Sequence, residues 1–278
     1  MTPARKLALL VTGIALTIFS CNKTTNTVTS TTPKVTNAQL AKQLALQLKG
    51  ELLGLKGVTA NGISTSTVTK GHLAGDAGNG IYGCGSVINI PVTTAFTDLW
   101  TAPFKYPDDT VKTVGGNYYF TILCDSARIN GYNDFDSIRA TGISPYYTFN
   151  NYAALNLTVK ATDAQYSNYT LDGYIKGDFF DTPFDSSDKN IIYYDHGTTS
   201  FVFSGVQFVV TNDLADPYTG SATFNMSQTY HYPGRAGLVT GNYYGTFTFT
   251  GNYGLTVTFL QTGKPDVYYF QLDKLSFY

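Results

Sequence analysis

Polar and apolar residues alternate with a period of two along most of the chain after residue 80. That period places successive side chains on opposite faces of a strand. The breaks between the alternating segments are short and rich in Asn, Asp, Gly and Pro, which favours tight antiparallel connections. Strands are predicted at 81–92, 117–124, 137–141, 153–160, 168–179, 190–195, 199–211, 220–228, 238–250, 255–261 and 267–272. We expect an all-β fold, an antiparallel meander arranged as a sandwich or a strongly curved, open barrel.

One helical pattern precedes the strands. Thr36 and Gln39 have the spacing of a capping box. Apolar residues then recur at helical spacing, which predicts an amphipathic helix over residues 37–57. The apolar stripe contains Ala41, Leu44, Ala45, Leu48, Leu52 and Leu55. Because the polar face is only mildly basic, we interpret the helix as docked on the sheet; the alternative is a helix that lies on a membrane surface.

The first twenty residues have the pattern of an export signal. Arg5 and Lys6 precede an apolar run over residues 7–19, which is shorter than the roughly 20 residues that a membrane span needs. The run ends in Ile18-Phe19-Ser20-Cys21, which resembles the lipobox of bacterial lipoproteins. The resemblance implies that residues 1–20 are a signal peptide and that Cys21 carries the lipid, an acyl anchor of the palmitate type.

The segment after Cys21 indicates where the domain begins. Residues 22–36 are rich in Thr and have no apolar periodicity, so we expect residues 21–36 to be a flexible tether. The helix at 37–57 would then lead into a single β domain over residues 58–278. Asn22 is not the aspartate that retains many lipoproteins at the inner membrane, and no acidic run follows Cys21. The resemblance therefore implies an outer-membrane lipoprotein that faces the periplasm.

Charge and composition narrow the classes of partner. The chain has 18 Lys and Arg against 19 Asp and Glu in 278 residues, and a near-neutral charge argues against binding to nucleic acid. Glu51 is the single glutamate, while Tyr, Thr and Gly are abundant, which again favours strands and turns.

Two cysteines remain besides Cys21. Cys84 and Cys124 would close a loop of 40 residues, and an exported pair is predicted to form a disulfide. A metal site or a catalytic thiol is the alternative, but no histidine is near either cysteine in sequence. The "GCG" at residues 83–85, a strand that ends in Cys124 and the Gly-punctuated Thr/Tyr hairpins are together similar to uncharacterised envelope lipoproteins of Bacteroidetes. This similarity implies a fold and no mechanism.

Tyrosine occurs in five doublets, whose members should point to opposite faces of a sheet. One interpretation is a ligand face, on which sugar rings stack or acyl chains lie. The other interpretation assigns one ring to the core and one to the surface. The candidate residues are Tyr118, Tyr119, Tyr146, Tyr147, Tyr193, Tyr194, Tyr243, Tyr244, Tyr268 and Tyr269.

The sequence contains no recognisable catalytic motif. His72, His196 and His231 have no nucleophile elbow or zinc-protease signature near them. Two Asp-rich segments, 130–136 and 178–188, lack the spacing of a calcium loop and are interpreted as turns. We therefore expect no catalysis, cofactor or metal, and predict a lipid-anchored protein with a binding or structural role. Its ligand would be a glycan, a lipid or a protein; the alternative function is a periplasmic carrier of a lipid or other apolar ligand inside a curved sheet.

Overall fold

The computed structural model describes ten stretches of the chain. These are residues 36–54, 58–59, 62–63, 83–91, 110–126, 128–184, 191–211, 214–231, 236–261 and 263–275.

Most of the described chain forms one antiparallel sheet of ten strands, in which every strand pairs with its neighbours in sequence. The sheet order runs from β12 to β3 without a crossover, and it remains open, with these two strands at its edges. The strands are Val87–Pro91 (β3), Thr110–Asp125 (β4), Arg128–Ile143 (β5), Tyr147–Ala161 (β6), Tyr169–Pro183 (β7), Tyr193–Thr211 (β8), Leu214–His231 (β9), Leu238–Gly251 (β10), Gly254–Phe259 (β11) and Asp266–Gln271 (β12). A separate two-stranded hairpin pairs Val58–Thr59 (β1) with Gly62–Ile63 (β2). The predicted all-β meander is confirmed, in its open single-sheet form rather than as a sandwich.

The strand prediction is wrong at several points; β4, β6 and β9, for example, begin six or seven residues earlier than predicted. Segments 190–195 and 199–211 belong to the single strand β8, because Gly197 is a strand residue and not a break. A Cβ atom at Gly197 would lie 3.4 Å from the rings of Phe179 and Tyr194, so the glycine lets those rings pack against the backbone.

The Asp/Asn-rich segment 130–136 is likewise not a turn, since it lies entirely within β5. Asp134 and Asp136 face the core there. Asp178 and Asp181 of the second Asp-rich segment lie in β7, while Asp185 and Asp188 fall outside the described residues.

Helix α1 (Asn37–Gly54) begins at the predicted capping box. The backbone N–H of Thr36 donates to Oε1 of Gln39 at 2.9 Å, and the N–H of Gln39 donates to Oγ1 of Thr36 at 3.2 Å. Its leucines at positions 40, 44 and 48 are completely buried, and the helix packs against β9, β11 and β12. The docked interpretation is therefore correct. Leu46 and Gln47, which lie off the predicted stripe, are buried as well.

One face of the sheet carries a continuous apolar core, and we call this face, with α1 on it, the inner face. Phe201, Phe224, Phe247 and Phe259 form a chain of ring contacts with centroids 5.1–5.4 Å apart, a spacing typical of favourable aromatic pairs. The core therefore extends from the central strands to those near the β12 edge. We call the opposite face, whose described side chains are mostly exposed or half-buried, the outer face. No helix in the described ranges is both long enough and apolar enough to cross a membrane.

Candidate functional site

The outer face presents two neighbouring rows of side chains across β6 to β10. The alternation of the strands determines which residues point outward, and the strand register determines which of them lie side by side. One row contains Ala154, Lys176, Ser200, Asn225 and Tyr244, and the next contains Tyr152, Asp178, Thr198, Ser227 and Asn242.

These two rows line a groove of about 510 Å³. Its floor has small side chains such as Ala154, Thr198 and Ser200, while Tyr152 and Tyr244 lie at its two ends. From β6 to β10 there are four strand steps, which at about 4.8 Å each give a length of roughly 19 Å. The groove therefore has room for an extended ligand that runs across the strands.

The aromatic ring at the β6 end is held in place by its neighbours. The hydroxyls of Tyr152 and Ser137 are hydrogen-bonded at 3.0 Å, and the guanidinium of Arg139 lies 6.0 Å from the centre of the Tyr152 ring. Two contacts fix the ring before any ligand arrives, which lowers the entropic cost of stacking on it. At the other end, the Tyr244 side chain is 47% exposed.

The two charged residues in the groove are already paired within the protein. The ammonium of Lys176 lies 4.6 Å from the centre of the Tyr174 ring, a cation–π distance. Oδ1 of Asp178 lies 2.7 Å from Nε2 of His196 on the next strand. With one cation and one anion, each with its own partner, the groove has no net charge to offer a ligand.

Hydroxyl and amide groups complete the lining. Ser227 donates its hydroxyl to Oδ1 of Asn242 at 2.7 Å, and the amide of Gln261 donates to the backbone oxygen of Asn242 at 3.0 Å. Asn242 is thereby oriented with its amide nitrogen available as a donor. Neutral donors and acceptors therefore lie between the two tyrosines.

A cluster of three carboxyl groups lies on the inner face, away from the groove. Asp134 and Asp136 of β5 are buried, with 4% and 1% of their surfaces exposed, and Glu51 of α1 interacts electrostatically with both. Burial raises the pKa of Glu51 to about 8, and the charge of Asp136 adds to the effect. Burial also raises the pKa of Asp136 to about 6, although the backbone N–H of Tyr119 donates to its Oδ1 at 3.0 Å and opposes the rise.

Burial and the charge of Asp136 act on the neighbouring carboxyl of Asp134 as well. Burial raises the pKa of Asp134 well above its ordinary value, and the carboxyl of Asp136 raises it further. Among the side chains that the structure describes, no group of three or more His, Cys, Asp or Glu residues is arranged to hold a metal ion. We assign the carboxyl cluster no ligand.

The tyrosine doublets divide between the two faces where both side chains are described. Tyr147, Tyr194 and Tyr243 are buried, while Tyr119, Tyr146, Tyr244 and Tyr269 are exposed. Tyr193 and Tyr268 are half-buried, and the side chain of Tyr118 lies outside the described set. Tyr244 is the predicted tyrosine that the structure places at the exposed end of the groove, next to the buried Tyr243.

Sequence reasoning missed Tyr152, which belongs to no doublet. Its outward position follows from the alternation of β6, but its place opposite Asp178 depends on the register between β6 and β7, which cannot be read from the sequence alone.

Of the predicted cysteine sites, the Cys84–Cys124 disulfide is present, with Cα atoms 5.6 Å apart. Cys21 lies outside the described residues.

The chain matches no protein-family model, no curated protein and no solved structure. Its function is therefore inferred from the geometry and chemistry of the groove.

Proposed function

We propose that the protein is a lipid-anchored envelope protein with a non-catalytic binding role, and that it binds through the outer face of its sheet. The observation that carries the proposal is the groove between Tyr152 and Tyr244, an open concavity on the solvent face with aromatic ends and a floor of mostly small, uncharged side chains. Concave sites with aromatic walls and a few oriented polar groups are typical of ligand binding.

The carrier function is less well supported by the described residues. A carrier would hold its apolar ligand against the inner face, where α1 already buries Leu40, Leu44 and Leu48 against the sheet. An acyl chain would have to displace this helix and lose its packing. The outer face needs no such rearrangement.

The anchor is proposed from the resemblance of residues 18–21 to a lipobox. Metabolic labelling with a palmitate analogue should label the wild-type protein in its membrane fraction. Cys21→Ser should abolish both the label and the membrane association. A Cys21→Ser protein that stays in the membrane fraction would contradict the anchor.

The binding face is tested by filling the groove. Ser200 lies at its floor, between Lys176 and Asn225, so Ser200→Trp should block the groove without disturbing the core. Ser221 also lies on the outer face of β9, outside the groove, which makes Ser221→Trp the matched control. The measurement is retention of full-length Cys21→Ser protein on cell envelopes from a strain that lacks it.

We expect Ser200→Trp to reduce retention and Ser221→Trp to leave it unchanged. Equal retention of the two variants, with equal thermal stability, would contradict binding through this groove.

A further inference from the structure

We infer that the occupant of the groove is a neutral glycan chain that lies across the strands. The inference rests on the proposed function and names the ligand class for the same site. It depends on three properties of the groove, namely its charge, its lining and its direction relative to the strands.

The charge of the groove argues for a neutral ligand. Asp178 is paired with His196 at 2.7 Å, and Lys176 lies over the ring of Tyr174. A nucleic acid or an acidic polymer would need unpaired cations along its path, and the groove lining contributes Lys176 alone. The lining therefore complements a ligand without charge.

The chemistry of the lining argues for a ligand with many hydroxyl groups. Thr198, Ser200 and Asn225 present neutral donors and acceptors at neighbouring register positions, which suits hydroxyls spaced along a chain. The rings of Tyr152 and Tyr244 supply flat apolar surfaces, on which the C–H face of a sugar ring stacks.

The direction of the groove argues against an extended peptide. A peptide that recognises a sheet usually adds to an edge strand, because the unpaired backbone groups are there. In this sheet the edges are β3 and β12. The groove instead crosses the five strands from β6 to β10, whose backbone groups are already paired within the sheet. A ligand in the groove must be recognised by side chains and rings, as a glycan is.

The test uses cell envelopes divided into four samples and the full-length Cys21→Ser protein. One sample is untreated, one is extracted with chloroform–methanol, one is digested with proteinase K and one is oxidised with periodate, which cleaves the vicinal diols of sugars. We expect binding to survive extraction and digestion, to be lost after periodate, and to be insensitive to high salt, which screens charge interactions.

Substitutions of the two groove tyrosines test whether the binding occurs in the groove. Tyr152→Ala and Tyr244→Ala should each weaken binding to the digested, extracted envelopes roughly tenfold or more, as expected for aromatic anchor residues. Tyr152→Phe and Tyr244→Phe, which keep the rings, should retain most of it. Tyr269→Ala is the matched control, because Tyr269 is 78% exposed on β12 and lies outside the groove lining. Thermal unfolding of each variant shows whether the domain is intact.

Other results would distinguish failure of the glycan inference from failure of the proposed binding function. Binding that depends on the groove but is lost after proteinase K or solvent extraction would overturn the glycan and leave the binding function standing. Groove-dependent binding that high salt abolishes would overturn the neutral ligand in favour of a charged one. Binding that periodate abolishes but that neither tyrosine variant weakens would overturn the groove as its site, and with it both proposals.

Discussion

Asp134 and Asp136 lie on the same buried face of β5, separated by one residue, and their carboxyl groups influence each other's titration. Two carboxylates so close together in a buried setting cannot both ionise without cost. Because each pKa is raised, the folded state binds more protons than the unfolded chain above pH 4. The stability that these carboxyl groups contribute is therefore fully present below their unfolded pKa values and is lost as the pH rises through 6, the approximate pKa of Asp136.

Asp136→Asn should make the protein less sensitive to pH. The substitution removes one of the buried acids and keeps an oxygen for the Tyr119 N–H. Relative to wild type, the variant should gain roughly 1–3 kcal/mol of unfolding free energy between pH 4 and pH 8. Urea denaturation across this range measures the gain. Asp195→Asn, at an exposed position of β8, is the control and should follow the wild-type profile; a parallel profile for Asp136→Asn would contradict the raised pKa.

Removal of the disulfide should lower the stability of the domain by about 4 kcal/mol, the value expected for a loop of this length. The bond closes a loop of 40 residues and connects the segment before β3 to the end of β4. The measurement is denaturation of the Cys84→Ser/Cys124→Ser protein beside wild type, with and without a reductant. The reductant should lower the denaturation midpoint of wild type and leave that of the variant unchanged. An unchanged midpoint for wild type as well would show that the bond is not formed in solution.

Gly245→Ala should destabilise the sheet by roughly 1–3 kcal/mol, the usual cost of overpacking. A Cβ atom at this position would collide with the backbone oxygen of Thr258 and lie 2.6 Å from Cζ of Phe224. Gly115→Ala is the matched control, because a Cβ atom there meets no other atom within 4 Å. Thermal denaturation should separate the two variants; equal melting temperatures would contradict the close packing at Gly245.

Thr36→Ala should cost about 1 kcal/mol through loss of the N-terminal cap of α1. Thr36 accepts from the Gln39 N–H through its hydroxyl, and serine would preserve that acceptor. Hydrogen exchange of the first-turn amides should accelerate in Thr36→Ala and remain slow in Thr36→Ser. Unchanged exchange in the alanine variant would indicate that packing alone holds the helix start.

The sequence predicted the fold well because its signals were local. Period-two alternation identified the strands, and the spacing of Thr36 and Gln39 identified the helix start. It failed where tertiary packing overrode local preference. Gly197 is a strand residue because two aromatic rings need its space, and Asp134 and Asp136 are core residues although aspartate usually occupies turns.

The groove could be predicted only in part. Alternation is enough to place Tyr244 and Tyr243 on opposite faces, so an exposed ring near the end of the chain was foreseeable. That Tyr152, ninety-two positions earlier, lies at the other end of the same groove depends on the registers of four successive strand pairs. Each register is decided by side-chain packing between strands that are distant in sequence, and no local pattern contains it.

Helix α1 gives the domain a late step in its assembly. Its partners are β9, β11 and β12, and Lys49 donates to the backbone oxygen of Leu275 at 2.7 Å, across 226 positions of sequence. A chain synthesised from its N-terminus would therefore hold three uncovered leucines, at positions 40, 44 and 48, until its final strands are made. Such long-range closure slows folding, and until it is complete the apolar side of α1 remains open to aggregation.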